Sequence, residues 1–397
     1  MNHNQHSRKN DDVLVIGVGV TPVGEHWDLS LRELALQAID SARAEAGMLR
    51  PQAVYVANML APILSGQTQL GALLADFAGL SGVEALTIEA AGASGGMAMR
   101  QAYMAVTSGF VEAAMVLGAE KVTDRTGTTV TAALASAADA DSEAVQGITQ
   151  AAQAALLMRR YLHVYEAPGD ALAGFSISAH SNAVTNPCAM FRRAIDVESY
   201  RRAPIISNPL NMFDAAPVAD GAAALILARA EAIPPGTPHA PVRIMGSAAA
   251  TAELALHDRP DPLLFSAAAE SSQRALSQAG VGLEDVDLFE LHDVFTICAA
   301  LSLEACGFAP PGEAWKLARD GDIAIDAKLP ILTFGGSKAR GDAAGATGVY
   351  QLAEIVYQLQ GRAGENQVPR PRFGMAQCLG GLGGTAVTHV LCPFEAD

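Results

Sequence analysis

A continuous apolar run, Val13–Val18 (VLVIGV), opens the patterned part of the chain and predicts a strand buried on both faces. It passes into Gly19–Gly24, which reads as a turn. Ser30 then caps a helical pattern, LRELALQAIDSARAEAG, that Gly47 stops. Val54–Val56 predicts the next short strand. The same order returns in the second half: a strand and turn at Val242–Gly246, a helix over Ser266–Gly280, and a strand at Val286–Phe289. The segments EAGMLRPQAVYV (45–56) and QAGVGLEDVDLF (278–289) align without a gap. Two copies of one strand–helix–strand unit predict an internally duplicated α/β chain. Two unrelated α/β units sharing a common pattern form the plainer alternative.

The stretch 121–205 breaks this order. It carries many alanines, polar helical patterns and a basic cluster, Arg192, Arg193, Arg201 and Arg202, and reads as an insertion from the first half. The first half resumes at the buried strand pattern Ala219–Ala228, and the Pro-rich stretch 233–241 is a linker. Residues 1–11 are polar, lack an apolar core and are expected to be a disordered leader. The expected division is therefore 12–120 with 206–232 as the first half, 121–205 as an inserted loop domain, and 242–397 as the second half.

The 397 residues suffice for two or three domain-sized units. Half are apolar but only 5% are aromatic, which suits helices packed closely on sheets. With 26 Lys+Arg against 42 Asp+Glu the formal charge is −16. That excess argues against nucleic acid and anionic membrane surfaces. An anionic ligand would need a local basic patch or a helix N-terminus. The five cysteines, Cys188, Cys298, Cys306, Cys378 and Cys392, show no CxxC spacing. They read as reduced thiols of a cytosolic protein without a metal site. No apolar run is long enough to insert in a bilayer.

Several short motifs recur in a fixed order: Gly17–Gly24, Gly118-Ala-Glu-Lys121, Ala179–Pro187, Asn208-Pro-Leu210, Pro217–Ala224, Glu290–Phe295, Gly345-Ala-Thr-Gly348 and Gly380-Gly381. Together they resemble the thiolase superfamily, nearest to its sterol-carrier/lipid-transfer branch and the bacterial and archaeal relatives of that branch. The resemblance implies a duplicated five-layer αβαβα thiolase fold with an inserted loop domain that binds coenzyme A. It also implies a homodimer or dimer of dimers. Relatives of this branch often work beside a small OB-fold/zinc-ribbon protein.

The resemblance places the nucleophilic cysteine at Gly92, within IEAAGASGG. Glycine cannot form an acyl-enzyme. The neighbouring Ser94 matches a structural serine and is a weak candidate replacement. The family's Gly-His-Pro turn, whose His activates the nucleophile, reads Gly341-Asp342-Ala343 here. Asp342 would be either a general base in the same pocket or a turn residue bonded to local backbone. The His-Asp motif survives as Glu290-Leu-His292-Asp293, so His292 is expected to hold a thioester oxygen. Cys378 matches the thiol that moves the α-proton, although a buried structural thiol fits equally. Gly381 and Gly383 would complete a second oxyanion hole through backbone N–H groups. Arg192, Arg193 and Lys338 are the expected coenzyme A contacts.

Loss of both nucleophile and base removes acyl transfer as this family performs it. Enolate stabilisation remains, and aldol, retro-aldol or Claisen-type chemistry on a CoA thioester needs no acyl-enzyme. No tightly bound cofactor is expected. A non-catalytic thiolase-fold subunit or scaffold is the alternative from a different class. Acetyl-CoA acetyltransferase activity is a third reading, open only if Gly92 stands in place of a natural cysteine.

Overall fold

The computed structural model describes residues 12–395, so the leader expected over 1–11 lies outside the described residues. The first half runs β1 (Val13–Val20), α1 (Leu31–Glu45), β2 (Ala53–Ala57), α2 (Leu70–Phe77), β3 (Glu84–Ile88), α3 (Ser94–Ser108) and β4 (Ala113–Glu120). Next come α4 (Gly127–Leu134), α5 (Gln150–Val164), α6 (Ala173–Ala183), α7 (Val197–Arg202) and the small hairpin β5 (Ile205–Ser207) and β6 (Leu210–Asn211). The chain then returns to the first sheet as β7 (Gly221–Arg229). The second half runs β8 (Val242–Thr251), α8 (Ser266–Ala279), β9 (Leu288–Glu290), α9 (Thr296–Cys306), α10 (Ala314–Asp320), α11 (Thr347–Leu359), β10 (Gly374–Gly380) and β11 (Thr385–Pro393).

Local chemistry sets several boundaries where the sequence predicts them. Ser30 and Glu33 form a reciprocal capping box at the start of α1. Gly280, at φ +67°, takes the left-handed position that ends α8. Other boundaries move. β1 continues to Val20, beyond its predicted end, because antiparallel pairing with β7 runs to Val20↔Ala223. β8 runs to Thr251 on the support of β11. β9 starts later than Val286, since its ladder with β10 begins at Leu288↔Gly374.

The strands follow the order β3-β2-β4-β7-β1-β8-β11-β10-β9. Each half contributes its own block, and the blocks meet only at Leu14↔Arg243 and Val15↔Val242. Helix α1 covers the outer face of the first block and α8 that of the second. Helices α3 and α11 lie between them and touch strands of both. The result is the layered helix–sheet–helix–sheet–helix arrangement that the family resemblance implies. In both halves a glycine lets the outer helix approach its first strand: a Cβ at Gly19 would strike Ala38 O, and one at Gly246 would strike Ala275 O. The central helices meet just as closely, for a Cβ at Gly95 would lie 2.7 Å from Gly348 Cα. The inserted helices α5 and α6 pack on α9, and α6 also packs on a π-helical turn, Gly336–Arg340. That turn leads directly into Asp342.

Candidate active site

Helix α3 begins after one tight 3-10 turn, Ala91–Ala93. Ala91 sits in the left-handed region at φ +51°. Ser94 pins this turn: Ala90 N–H donates to its Oγ at 2.9 Å, and the hydroxyl donates to Ala91 O at 2.6 Å. The hydroxyl is fully buried and committed to backbone, which leaves Ser94 poorly placed as a nucleophile.

Gly92 faces the loop that follows β9. A Cβ at this position would lie 2.7 Å from Leu379 O, 2.9 Å from His292 Cε1 and 3.0 Å from His292 Nε2. The imidazole edge thus occupies the space a side chain at position 92 would need. On the other side of the turn, a Cβ at Gly380 would lie 2.6 Å from Ala90 O. Gly380 is therefore the glycine of the β10 end that closes on the turn, a contact the sequence did not single out. Gly383 packs against the Phe265 ring, where its Cβ would sit at 3.1 Å, and Gly381 faces Ala137 O at 3.2 Å.

His292 is 3% exposed. Its Nδ1 is buried without a hydrogen-bond partner among the described residues. Burial lowers its pKa, while the charges of Asp342 and then Asp293 act to raise it. The neutral ring carries one N–H, and the Nε2–H tautomer would aim it over the Gly92 turn. Such a donor can hold an oxygen on which negative charge develops.

The charges of Asp342, Asp293 and Arg340 act on this imidazole, and further buried ionisable groups lie on the same elements. Asp293 Oδ1 accepts Ser337 N–H at 2.6 Å, and its Oδ2 accepts Lys338 N–H at 3.2 Å. Glu290 Oε1 accepts both the N–H (2.8 Å) and the hydroxyl (2.6 Å) of Thr333. Burial pushes the Glu290 carboxyl up to about 8. Arg340, 1% exposed, pairs with Glu354 at 2.7 Å and lies over the Tyr350 ring. Sequence reasoning missed Glu290, Arg340 and Glu354. The available signal was the set of ionisable residues inside otherwise small or apolar stretches, ELHDVF, GGSKARG and YQLAEIVYQL.

Asp342 is 4% exposed and tightly held. Its N–H donates to Pro217 O at 2.8 Å, its carbonyl accepts Ala219 N–H at 2.9 Å, and Thr347 Oγ1 donates to its Oδ1 at 2.6 Å. Among carboxylates, its charge acts most strongly on His292. The structure therefore brings Gly92, His292 and Asp342 into one electrostatic neighbourhood.

Cys378 packs beside the same turn, against Ala93, but its thiol has other partners. Its Sγ lies against Gly96 and Gly348 in the seam between α3 and α11, and donates to Gln351 Oε1 at 3.2 Å. Burial pushes this thiol up to about 12, which makes it a poor acid or base near neutrality. The coenzyme A contacts also separate. Arg192 is exposed, and its Nε donates to Val184 O. Arg193 lines the rim of a cavity of about 680 Å³, and Lys338, 2% exposed, lies within the same lining. Neither Gly92, His292, Asp342 nor Cys378 lines this cavity. Its wall at Ala215–Pro217 adjoins Asp342 and the loop that carries His292: Ala216 N–H donates to Val294 O, and Pro217 O accepts from Asp342. Among the described residues no group of His, Cys, Asp and Glu could hold a metal ion, and no helix is long and apolar enough to cross a membrane.

Comparison with known proteins identifies one family for both halves of the chain. Residues 13–231 match the family described as Thiolase, N-terminal domain, and residues 248–392 match Thiolase C-terminal domain-like. A protein of Methanothermobacter thermautotrophicus named acetyl-CoA acetyltransferase is 40% identical, covering 96% of this chain and 99% of that protein. The benzoylsuccinyl-CoA thiolase subunit BbsB of Thauera aromatica is 30% identical over 93% of this chain and 94% of its own. Among solved structures, one titled Ltp2-ChsH2(DUF35) aldolase superposes with a TM-score of 0.84 at 23% identity, covering 98% of this chain and 100% of that one.

Proposed function

Because this chain belongs to the thiolase family, we propose that it makes or breaks carbon–carbon bonds on a CoA thioester through an enolate, without capturing the acyl group. The observation that carries this reading is the contact between His292 and Gly92. The imidazole edge stands over the turn at the start of α3, in the space that a side chain at position 92 would fill. In this reading His292 Nε2–H donates to the thioester oxygen as the enolate forms. Asp342 accepts the proton that leaves the substrate, and Thr347 orients its carboxylate. For a β-hydroxyacyl thioester, that proton comes from the hydroxyl. The Cα–Cβ bond then breaks, its electron pair becomes the enolate, and a carbonyl compound departs. No atom of the protein needs to bond to the acyl carbon. The thioester is the substrate, and no resident cofactor enters. The homodimer and the small protein partner remain parts of this reading.

Exchange of substrate α-protons tests the reading without knowledge of the full substrate. Incubation with propionyl-CoA in D₂O should give time-dependent deuteration by mass spectrometry. His292→Ala should slow it by about 10²–10³-fold. No exchange above the uncatalysed rate, with propionyl-CoA bound, would favour the second reading. That reading is a non-catalytic subunit that binds thioesters beside a partner, and the near-complete enclosure of His292 supports it.

A further inference from the structure

The π-helical turn Gly336–Arg340 places an ammonium group where the thioester chemistry proposed above does not use it. Lys338 Nζ is buried and has no hydrogen-bond partner among the described residues, although its backbone N–H is bound by Asp293. Lys338 is one of the residues lining the cavity of about 680 Å³ between the inserted helices and the Ala215–Pro217 segment, with its Nζ enclosed behind the cavity surface. Phe191, Ile195 and Phe213 supply much of the apolar wall. The titratable residues of the lining are His180, Arg193 and Lys338, and no carboxylate is among them. In a chain with a formal charge of −16, that is a local reversal of sign. His180 contacts Arg193 O through Nδ1 at 3.2 Å, and burial lowers its pKa, so a neutral ring donates there and fixes the backbone of the rim.

A buried donor with three unsatisfied N–H directions is costly unless an acceptor arrives with the ligand. Burial pulls Lys338 down to about 8, while the charges of Asp214, Asp293 and Asp342 favour its charged form. None of them bonds to Nζ. Asp214 is already taken up by Tyr200, Thr296 and Asn211. What the cavity lacks is an anionic oxygen on the ligand side.

We propose that this cavity is a subsite for a carboxylate carried at the far end of an otherwise apolar acyl group, bound by Lys338 at the base and entered past Arg193. The substrate class would then be CoA monothioesters of dicarboxylic acids. This inference rests on the thioester reading given above, and it replaces the expectation that Lys338 contacts coenzyme A. The volume suits it, since sites for small organic ligands typically span about 300–1,000 Å³.

Isothermal titration of glutaryl-CoA, pentanoyl-CoA and free glutarate decides the matter. The wild-type protein should bind glutaryl-CoA at least tenfold more tightly than pentanoyl-CoA. Lys338→Met should abolish that preference, and Lys338→Arg should keep part of it. Equal binding of the two thioesters by wild type would overturn the subsite and leave the thioester reading intact. Binding of free glutarate with neither thioester bound would do the reverse. Equal weakening of both thioesters in Lys338→Met would assign the lysine to coenzyme A and end the proposal. The wild-type comparison stands even if a variant fails to fold.

Discussion

The two central helices start in the same way and end up in different chemical settings. The segment AGASG (91–95) enters α3, and AGATG (344–348) enters α11; they differ only at Ser94/Thr347. Ala91 and Ala344 take matching left-handed conformations at φ +51° and +44°. Each turn has its glycine against the loop that follows a strand of the opposite half. Gly92 meets His292, whereas a Cβ at Gly345 would lie 2.6 Å from Met59 N. Extending the gapless alignment of 45–56 with 278–289 pairs Met59 with His292 and Ala57 with Glu290. Because Ala57 is opposite Gly118 and Glu290 opposite Ala376, two further residues pair Glu120 with Cys378.

That last pair explains the divergence. Glu120 accepts four N–H bonds: Asn58 Nδ2 and Leu60 N on one oxygen, Met59 N and Gly345 N on the other. The loop after β2 is thereby clamped to the turn before α11. In the other half the thiol of Cys378 is too short for this and bonds to Gln351 instead. The loop after β9 receives no carboxylate from the position that matches Glu120, and His292 Nδ1 is left without a partner among the described residues. One copy of the duplicated motif is held by a carboxylate, and the other keeps an imidazole nitrogen without a partner among the described residues.

Removal of the clamp should have the largest effect. Glu120→Ala would strand four buried donors and cost about 3–5 kcal/mol, read as a lower midpoint in urea denaturation with little change in the His292 region. The two glycines offer a direct contrast at about 1–3 kcal/mol each. Gly345→Ala should lower stability while preserving α-proton exchange per folded molecule. Gly92→Ala should also abolish exchange, because its Cβ displaces the imidazole. By the same argument Gly92→Cys with Asp342→His should not restore thiolysis unless His292 moves, which a thiolysis assay with acetoacetyl-CoA would show. The smallest effect concerns His389, whose ring contacts Gly96 O of α3 through Nε2 at 3.0 Å. Burial lowers its pKa from 6.5 to about 4. The unfolded chain therefore binds this proton first, and stability falls as the pH drops from 6.5 toward 4. The loss should be roughly 1 kcal/mol by pH 5.5, seen as a shallower acid limb for His389→Gln than for wild type.

Much of this was legible in the chain. The apolar runs, the Ser30–Glu33 box and the terminating glycines fixed strands and helices by local rules, and the internal alignment announced the duplication. The short motifs led to the family, which the matches over 13–231 and 248–392 show. Residue types also dictated what position 92 cannot do, since a missing side chain is a fact of sequence. Direction and partnership were not encoded locally. Cys378 lies on a strand, and only the packing of α3 against α11 decides that its thiol turns into the seam. Lys338 and Arg340 sit two residues apart in a turn whose π-helical winding no periodicity predicts, and both become buried. Whether a charged group is solvated, paired or left waiting depends on elements far away in the chain. That is the physical reason the surroundings of these groups were decided by tertiary structure, while the scaffold was written in the order of the residues.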